Sequence, residues 1–305
     1  MGFQRTRAAL ARLVLPLAAI AFAAAAHAQS VTLVAAGSLN LALSQVANTF
    51  TAETGVTVAQ TYMPSGTLRQ EIEGGLRADV FASADTASPQ ALAQKGLAGP
   101  VRVFARNQIV AVFRSGFAKA VSPSSLLGVL LDPSTRIGTS TPVADPLGDY
   151  TQQIFAKADA VVSGATATLQ AKAQELVANP SAPAVPAGAN SLVYFLDTTQ
   201  TVDVFISYVT GAVQARAIDP TLQIVFLPRE LSVVAQFGLT VLNGASPQGQ
   251  QLADFILSPE GQRILASYGF TRPCRSPASG AQPATGDGQQ QSGSNPDSVC
   301  GANPT

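Results

Sequence analysis

The 305-residue sequence has no tryptophan, one histidine and two cysteines, and its aromatic and charged fractions are only 6% and 12%. Each scarcity excludes something. The single histidine, His27, falls at the end of an N-terminal leader-like stretch. The chain beyond it therefore has no imidazole for a general base, a Ser-His-Asp triad or a metal. Cys274 and Cys300 both sit close to the C-terminus, so thiolate catalysis within the body is excluded as well. So few aromatic residues give little material for the wide, aromatic-lined cleft of a lipid or peptide receptor. No basic block is present, which argues against nucleic acid as a partner. Outside the leader, no stretch approaches the roughly 20 apolar residues needed to cross a bilayer.

What is there begins with a leader. Arg5, Arg7 and Arg12 precede the apolar run Leu13 to Ala26, and Ala26-His27-Ala28 is a small-residue cleavage pattern. Residues 1–28 thus read as a signal peptide, cut after Ala28, which places the mature chain in the periplasm. The remaining chain carries 15 basic residues against 18 acidic, a net −3. Residues 274–305 are rich in Gly, Gln, Ser, Asn and Pro with almost no apolar side chains, the composition of a disordered polar tail. Pairing of Cys274 with Cys300 is the expectation for an oxidising compartment, with free thiols or an intermolecular bridge as the alternatives.

The body opens on Val31 to Phe50, read as a strand, an Ala36-Gly37-Ser38 turn and a helix. Val31, Leu33 and Ala35 alternate, and from Leu39 the period changes to helical, with Leu43, Val46, Ala47 and Phe50 on one face. Ser38 lies at the N-cap of that helix or within a residue of it. A helix start offers unpaired N–H groups and partial positive charge, so an anion fits without a cationic side chain. The arrangement recurs at Pro64-Ser65-Gly66-Thr67, where an extended run again turns into a helix, and two such serines point to one pocket. Asp85 reads as the cap of the next helix, Asp79 as the opening of a buried strand, and Arg69 as an exposed helix arginine. Further on, strands and helices alternate, which predicts an α/β fold with largely parallel sheets. Gln108 to Arg114 is the most strand-like run, Thr166 to Val177 reads as a helix, and Asp145-Pro146-Leu147-Gly148-Asp149 as a turn opening a helix.

Three motifs carry a resemblance: Ala35-Ala36-Gly37-Ser38-Leu39, the run Ser65 to Gly75, and Ala78 to Asp85. Together they resemble the periplasmic molybdate-binding protein family, the solute receptors of molybdate ABC importers, over Val31 to about Phe270. The resemblance implies a type II periplasmic binding protein: two α/β lobes joined by two crossovers, with the ligand cleft between them. Lobe I would comprise residues 29–106 and 230–273, and lobe II residues 107–229. It further implies an oxyanion held by uncharged donors. Ser38 and Ser65 would supply hydroxyl and backbone donors, Leu147 and Asn190 (or Ser191, one register away) backbone N–H groups, and Tyr208 its phenol. A metal is implied only as the molybdenum of the oxyanion, held through its oxygens by the same residues, with no cofactor. The implied partners are molybdate or tungstate and a membrane permease, and the implied protein is a monomer that transports rather than catalyses. Leu147, Asp149 and Met63-Pro64 depart from the family pattern. A donor-only pocket ranks molybdate and tungstate ahead of sulfate, with phosphate last. Asp149 would reverse that order if it faced inward. The alternatives are a receptor for sulfate, phosphate or an organic anion, and a periplasmic enzyme on the same fold.

Overall fold

The computed structural model describes residues 30–273; the leader and the tail with Cys274 and Cys300 lie outside them. The first strand, β1 (Ser30–Ala36), leads through a 3-10 turn (Gly37–Leu39) into α1 (Asn40–Thr54). Then follow β2 (Thr57–Met63), α2 (Ser65–Glu73), β3 (Val80–Ser83), α3 (Ala87–Gln94) and a long β4 (Arg102–Phe113). The middle of the chain supplies α4 (Leu126–Leu131), β5 (Ile137–Ser140), α5 (Pro146–Ala158), α6 (Ala165–Lys172) and β6 (Ala173–Val177). After α7 (Ser191–Val193) and a π-helical turn (Tyr194–Thr198) come β7 (Val204–Tyr208), α8 (Val209–Ile218) and β8 (Gln223–Phe226). The chain returns through β9 (Val234–Val241) to α9 (Pro247–Leu257) and α10 (Pro259–Ser267).

The strands run in the order β2-β1-β3-β9-β4-β7-β5-β6, with β8 also on β4. Pairing is parallel at the two flanks, β1 with β2 and β3, and β5 with β6 and β7. It is antiparallel through β9 and β4 in the middle. The expectation of largely parallel sheets therefore holds at the flanks only, because the chain crosses the middle once in each direction. Within β4 the partner changes: Arg102 to Gln108 pair with β9, and Ile109 to Phe113 with β7. One strand thus links the two parts of the sheet. The strand-like reading from Gln108 onward captured only its second half, since Arg102 to Asn107 carries too many polar residues to announce a strand.

Alternation sorts each strand between layers. On β1, Leu33 and Ala35 face the layer that includes α1 and α9, while Val34 packs with Leu68, Ile72 and Leu92 of α2 and α3. On β4, Ile109, Ala111 and Phe113 join the large core, while Val110 and Val112 join Leu192, Phe195 and Phe205 on the opposite face. α1 stops at Gly55, whose φ of 73° is left-handed and closes the helix. The predicted helix from Thr166 to Val177 is corrected: it ends at Lys172, and Ala173 to Val177 form a strand on β5. The helix-favouring composition of Ala-Gln-Glu-Leu yields there to an open sheet edge that needs its backbone groups paired.

Candidate oxyanion site

Ser38, Ser65 and Ala84 each follow the carboxyl end of one of three adjacent parallel strands, β1, β2 and β3. That edge, outside the strand ends, is where open α/β sheets bind ligands. Ser38 lies in the 3-10 turn one residue before the N-cap of α1, Leu39. Its Oγ is buried without a hydrogen-bond partner. Ser65 is the first residue of α2 and is 0% exposed. Its Oγ accepts the backbone N–H of Ala84 at 3.0 Å, fastening the start of α2 to the end of β3. Asp85, as the sequence indicates, caps the next helix, accepting Ser88 N–H at 2.8 Å. Arg69 pairs with Glu73 at 2.9 Å.

The opposing wall comes from the middle segment. Tyr150, on α5, donates its phenol to the Ala84 carbonyl at 3.2 Å. Its ring stands edge-on to that of Tyr208, centroids 6.4 Å apart. Tyr208 ends β7, is 5% exposed, and its hydroxyl, like that of Ser38, is buried with no partner. Burial, and then the charge of Asp145, drive its phenol well above the ordinary tyrosine range, so it stays a protonated donor. Above this group the segment Thr141 to Ala144 rests on the start of α2. Thr67 N–H donates to the Ala144 carbonyl at 3.2 Å. A Cβ on Gly66 would stand 1.8 Å from the Val143 carbonyl oxygen, so only glycine permits that approach. Val143 has φ 69°, a left-handed conformation that strains a β-branched residue. Asp149 holds it there, accepting Val143 N–H at 3.0 Å.

Four of the five residues singled out in the sequence lie on this seam: Ser38, Ser65, Leu147 and Tyr208. Asn190 is joined to them by none of its hydrogen bonds. Its side chain caps α7, accepting from Leu192 and Val193, and its carbonyl accepts from Tyr194. Leu147 N–H, the expected backbone donor, is taken by the N-cap carboxylate of Asp145 at 2.9 Å. Burial, with smaller contributions from Asp149 and Asp85, pushes Asp145 up to about 6. Sequence reasoning passed over Tyr150 and Asp145. The Asp-Pro pair at 145–146 is a helix-start signal that also marks a carboxylate at the site, whereas nothing local distinguishes Tyr150 from a core tyrosine. Among the described residues, no group of three or more His, Cys, Asp or Glu is placed to hold a metal ion. None of the described helices is long and apolar enough to cross a membrane.

The chain is 29% identical over 254 residues to the molybdate-binding protein ModA of Mycobacterium tuberculosis, covering 81% of this chain and 86% of ModA. Its fold matches the periplasmic molybdate-binding protein of Azotobacter vinelandii with a TM-score of 0.62 at 20% identity, covering 80% of this chain and 99% of that one. It also matches the sulfate-binding protein SubI of M. tuberculosis with a TM-score of 0.66 at 19% identity, covering 80% and 87%. These folds are type II periplasmic binding proteins, two lobes with a cleft between them. Residues 31–271 match the bacterial extracellular solute-binding protein family. With that match running over nearly all the described residues, the chain belongs to that family.

Proposed function

We propose that this chain captures a tetrahedral oxyanion, molybdate or tungstate, in the periplasm and delivers it to the permease of an ABC importer. The observation that carries the reading is the pair of orphaned hydroxyls, Ser38 Oγ and Tyr208 OH, buried on opposite walls of the seam. Buried polar groups are almost always paired, and an acceptor-only ion between the lobes would satisfy both. Ser65 would add the backbone N–H of the α2 start and its O–H, whose oxygen is held in place by accepting Ala84 N–H. Leu147 N–H becomes available when Asp145 releases it, and Asn190 or Ser191 would add a backbone N–H at the start of α7. The lobes divide as 29–106 with 230–273, and 107–229, which places the first crossover beside the partner change on β4. Relatives that bind molybdate support the choice of ion. The sulfate-binding neighbour supports a second reading, a sulfate receptor. Calorimetric titration with molybdate, tungstate and sulfate separates them. Molybdate and tungstate should bind together and well ahead of sulfate, because fixed donors cannot all close on a smaller ion. Sulfate binding tighter than molybdate would overturn the assignment.

A further inference from the structure

Asp145 sits where a fully deprotonated anion is least compatible with a carboxylate. Its Oδ1 occupies the helix-start N–H of Leu147, which has one hydrogen to give. An oxyanion that takes that donor must displace the carboxylate and then lie beside it. The charged groups facing Asp145 are Asp149 from its own helix and Asp85 from the segment after β3. Both are negative. Tyr208, from the end of β7, faces it with a neutral phenol, and Tyr150 stands beside Tyr208. Tyr208 supplies the second observation: its hydroxyl is buried, unpartnered and set among these carboxylates. Donors for an anion and an acceptor for a proton are therefore in one place.

We infer that Asp145 sets selectivity by proton linkage, on the oxyanion reading above: a fully deprotonated anion enters only as Asp145 takes up one proton from solvent. In that step the carboxylate and a solvent proton become a carboxylic acid, which then donates its O–H to an anion oxygen. An anion that carries its own proton, such as hydrogen phosphate, binds with Asp145 ionised and donates that proton's hydrogen bond to it, taking none from solvent. Burial brings Asp145 up to about 6, close enough to neutrality for an arriving anion to finish the protonation. One negative charge about 4 Å away, at an effective dielectric constant of about 20, favours the protonated form by roughly a thousandfold. The consequence is a pH-dependent preference. Rising pH weakens molybdate and sulfate against hydrogen phosphate, whereas a donor-only pocket has no group to titrate and would bind molybdate equally across that range.

The test is calorimetry of the whole protein at pH 7.5 in buffers of different ionisation enthalpy, with molybdate, sulfate and phosphate as probes. The expected result is uptake of close to one proton with molybdate and sulfate, and close to none with phosphate. Molybdate affinity should then fall nearly tenfold per pH unit above pH 7. In Asp145→Asn, whose amide oxygen still caps α5, uptake should vanish and molybdate affinity should be flat with pH. Asp149→Asn should keep the wild-type proton count. Molybdate binding without proton uptake in the wild type overturns the inference and leaves the oxyanion reading standing. An unchanged count in Asp145→Asn overturns it too. Binding of none of the three anions overturns the oxyanion reading, and the inference with it.

Discussion

At the scale of the residue, two hydroxyls of similar promise in the sequence have opposite roles in the fold. Ser65, expected to offer its hydroxyl to an anion, is fully buried and also satisfies Ala84 N–H. Its truncation leaves a buried donor unpaired, which costs about 1–3 kcal/mol. Tyr208 OH satisfies nothing within the protein, so removing it leaves stability unchanged or slightly raised. We therefore expect Ser65→Ala to lower the melting temperature without added anion. Tyr208→Phe should melt at or above the wild type and lose roughly 10–150-fold in molybdate affinity, one hydrogen bond to a charged group. Thermal melts and calorimetry on the two variants check this. A destabilised Tyr208→Phe with intact binding would remove the phenol from the site. Asp149 belongs at this scale as well. Its carboxylate is spent on Val143 N–H, which leaves Asp145 as the carboxylate bound to the site's backbone donor.

At the scale of the element, the start of α2 and the loop before α5 form the contact between lobes. Gly66 lies against the Val143 carbonyl, and Thr67 N–H donates to Ala144. A methyl on Gly66 would overlap that carbonyl, at 1.8 Å from Cβ to oxygen, yet it suits a helix better than glycine does. Gly66→Ala should therefore fold normally and fail to close. With donors available from one wall only, two charge-assisted hydrogen bonds are lost, on the order of 100-fold in affinity or more. Small-angle scattering should show molybdate compacting the wild type and leaving Gly66→Ala unchanged. Compaction of the variant to the wild-type dimensions would show that the contact is incidental. The connection from site to crossover runs through rings: Tyr208 packs on Phe237 of β9 at 5.5 Å, and Phe237 on Phe270 at 5.4 Å. A hinge of this kind acts through element termini that absorb the change in backbone angles.

At the scale of the whole molecule, two carboxylates bend the pH profile of stability in opposite directions. Asp203, 5% exposed, accepts from Arg114 Nε at 2.8 Å and Arg136 Nη2 at 2.8 Å. Burial alone would raise it, but the two guanidiniums and Arg136 N–H hold it well below the usual carboxylate range. Its contribution is present above its unfolded value near pH 4 and lost as pH falls toward its folded value. Asp145 behaves inversely. Raised to about 6, it stabilises most below pH 4, where it is protonated in both states, and that stability is lost as pH rises through 6. Thermal melts from pH 3 to 8 should show a decline on the acid side that Asp203→Asn abolishes, and a shallower decline between about pH 4 and 6 that Asp145→Asn abolishes. At pH 7, Asp203→Asn should lower stability by roughly 2–3 kcal/mol. That lies below the range for a fully buried pair because Arg136 is partly solvated. An acid limb unchanged in Asp203→Asn would assign it to other carboxylates.

The sequence by itself determined the layers and the strand-end serines. Alternation on β1 and helical periodicity on α1 are local properties, and a strand followed by Gly-Ser or Pro-Ser and a helix places those serines at the sheet edge without knowledge of the rest. It also carried the family, through short motifs, two of them at a strand and its adjoining turn and one along α2. Tertiary structure decided which of the buried polar groups find partners far away in the chain. Leu147 N–H donates locally to Asp145, Ser65 Oγ accepts from Ala84 N–H, Asn190 accepts from its own helix, and the hydroxyls of Ser38 and Tyr208 are left unpaired. The reason is physical. Whether a polar group has a partner depends on segments far away in sequence, such as Ala84 for Ser65, 19 residues on, and Ala84 again for Tyr150, 66 residues away. Local pattern carries no record of such meetings; packing of the folded chain creates them.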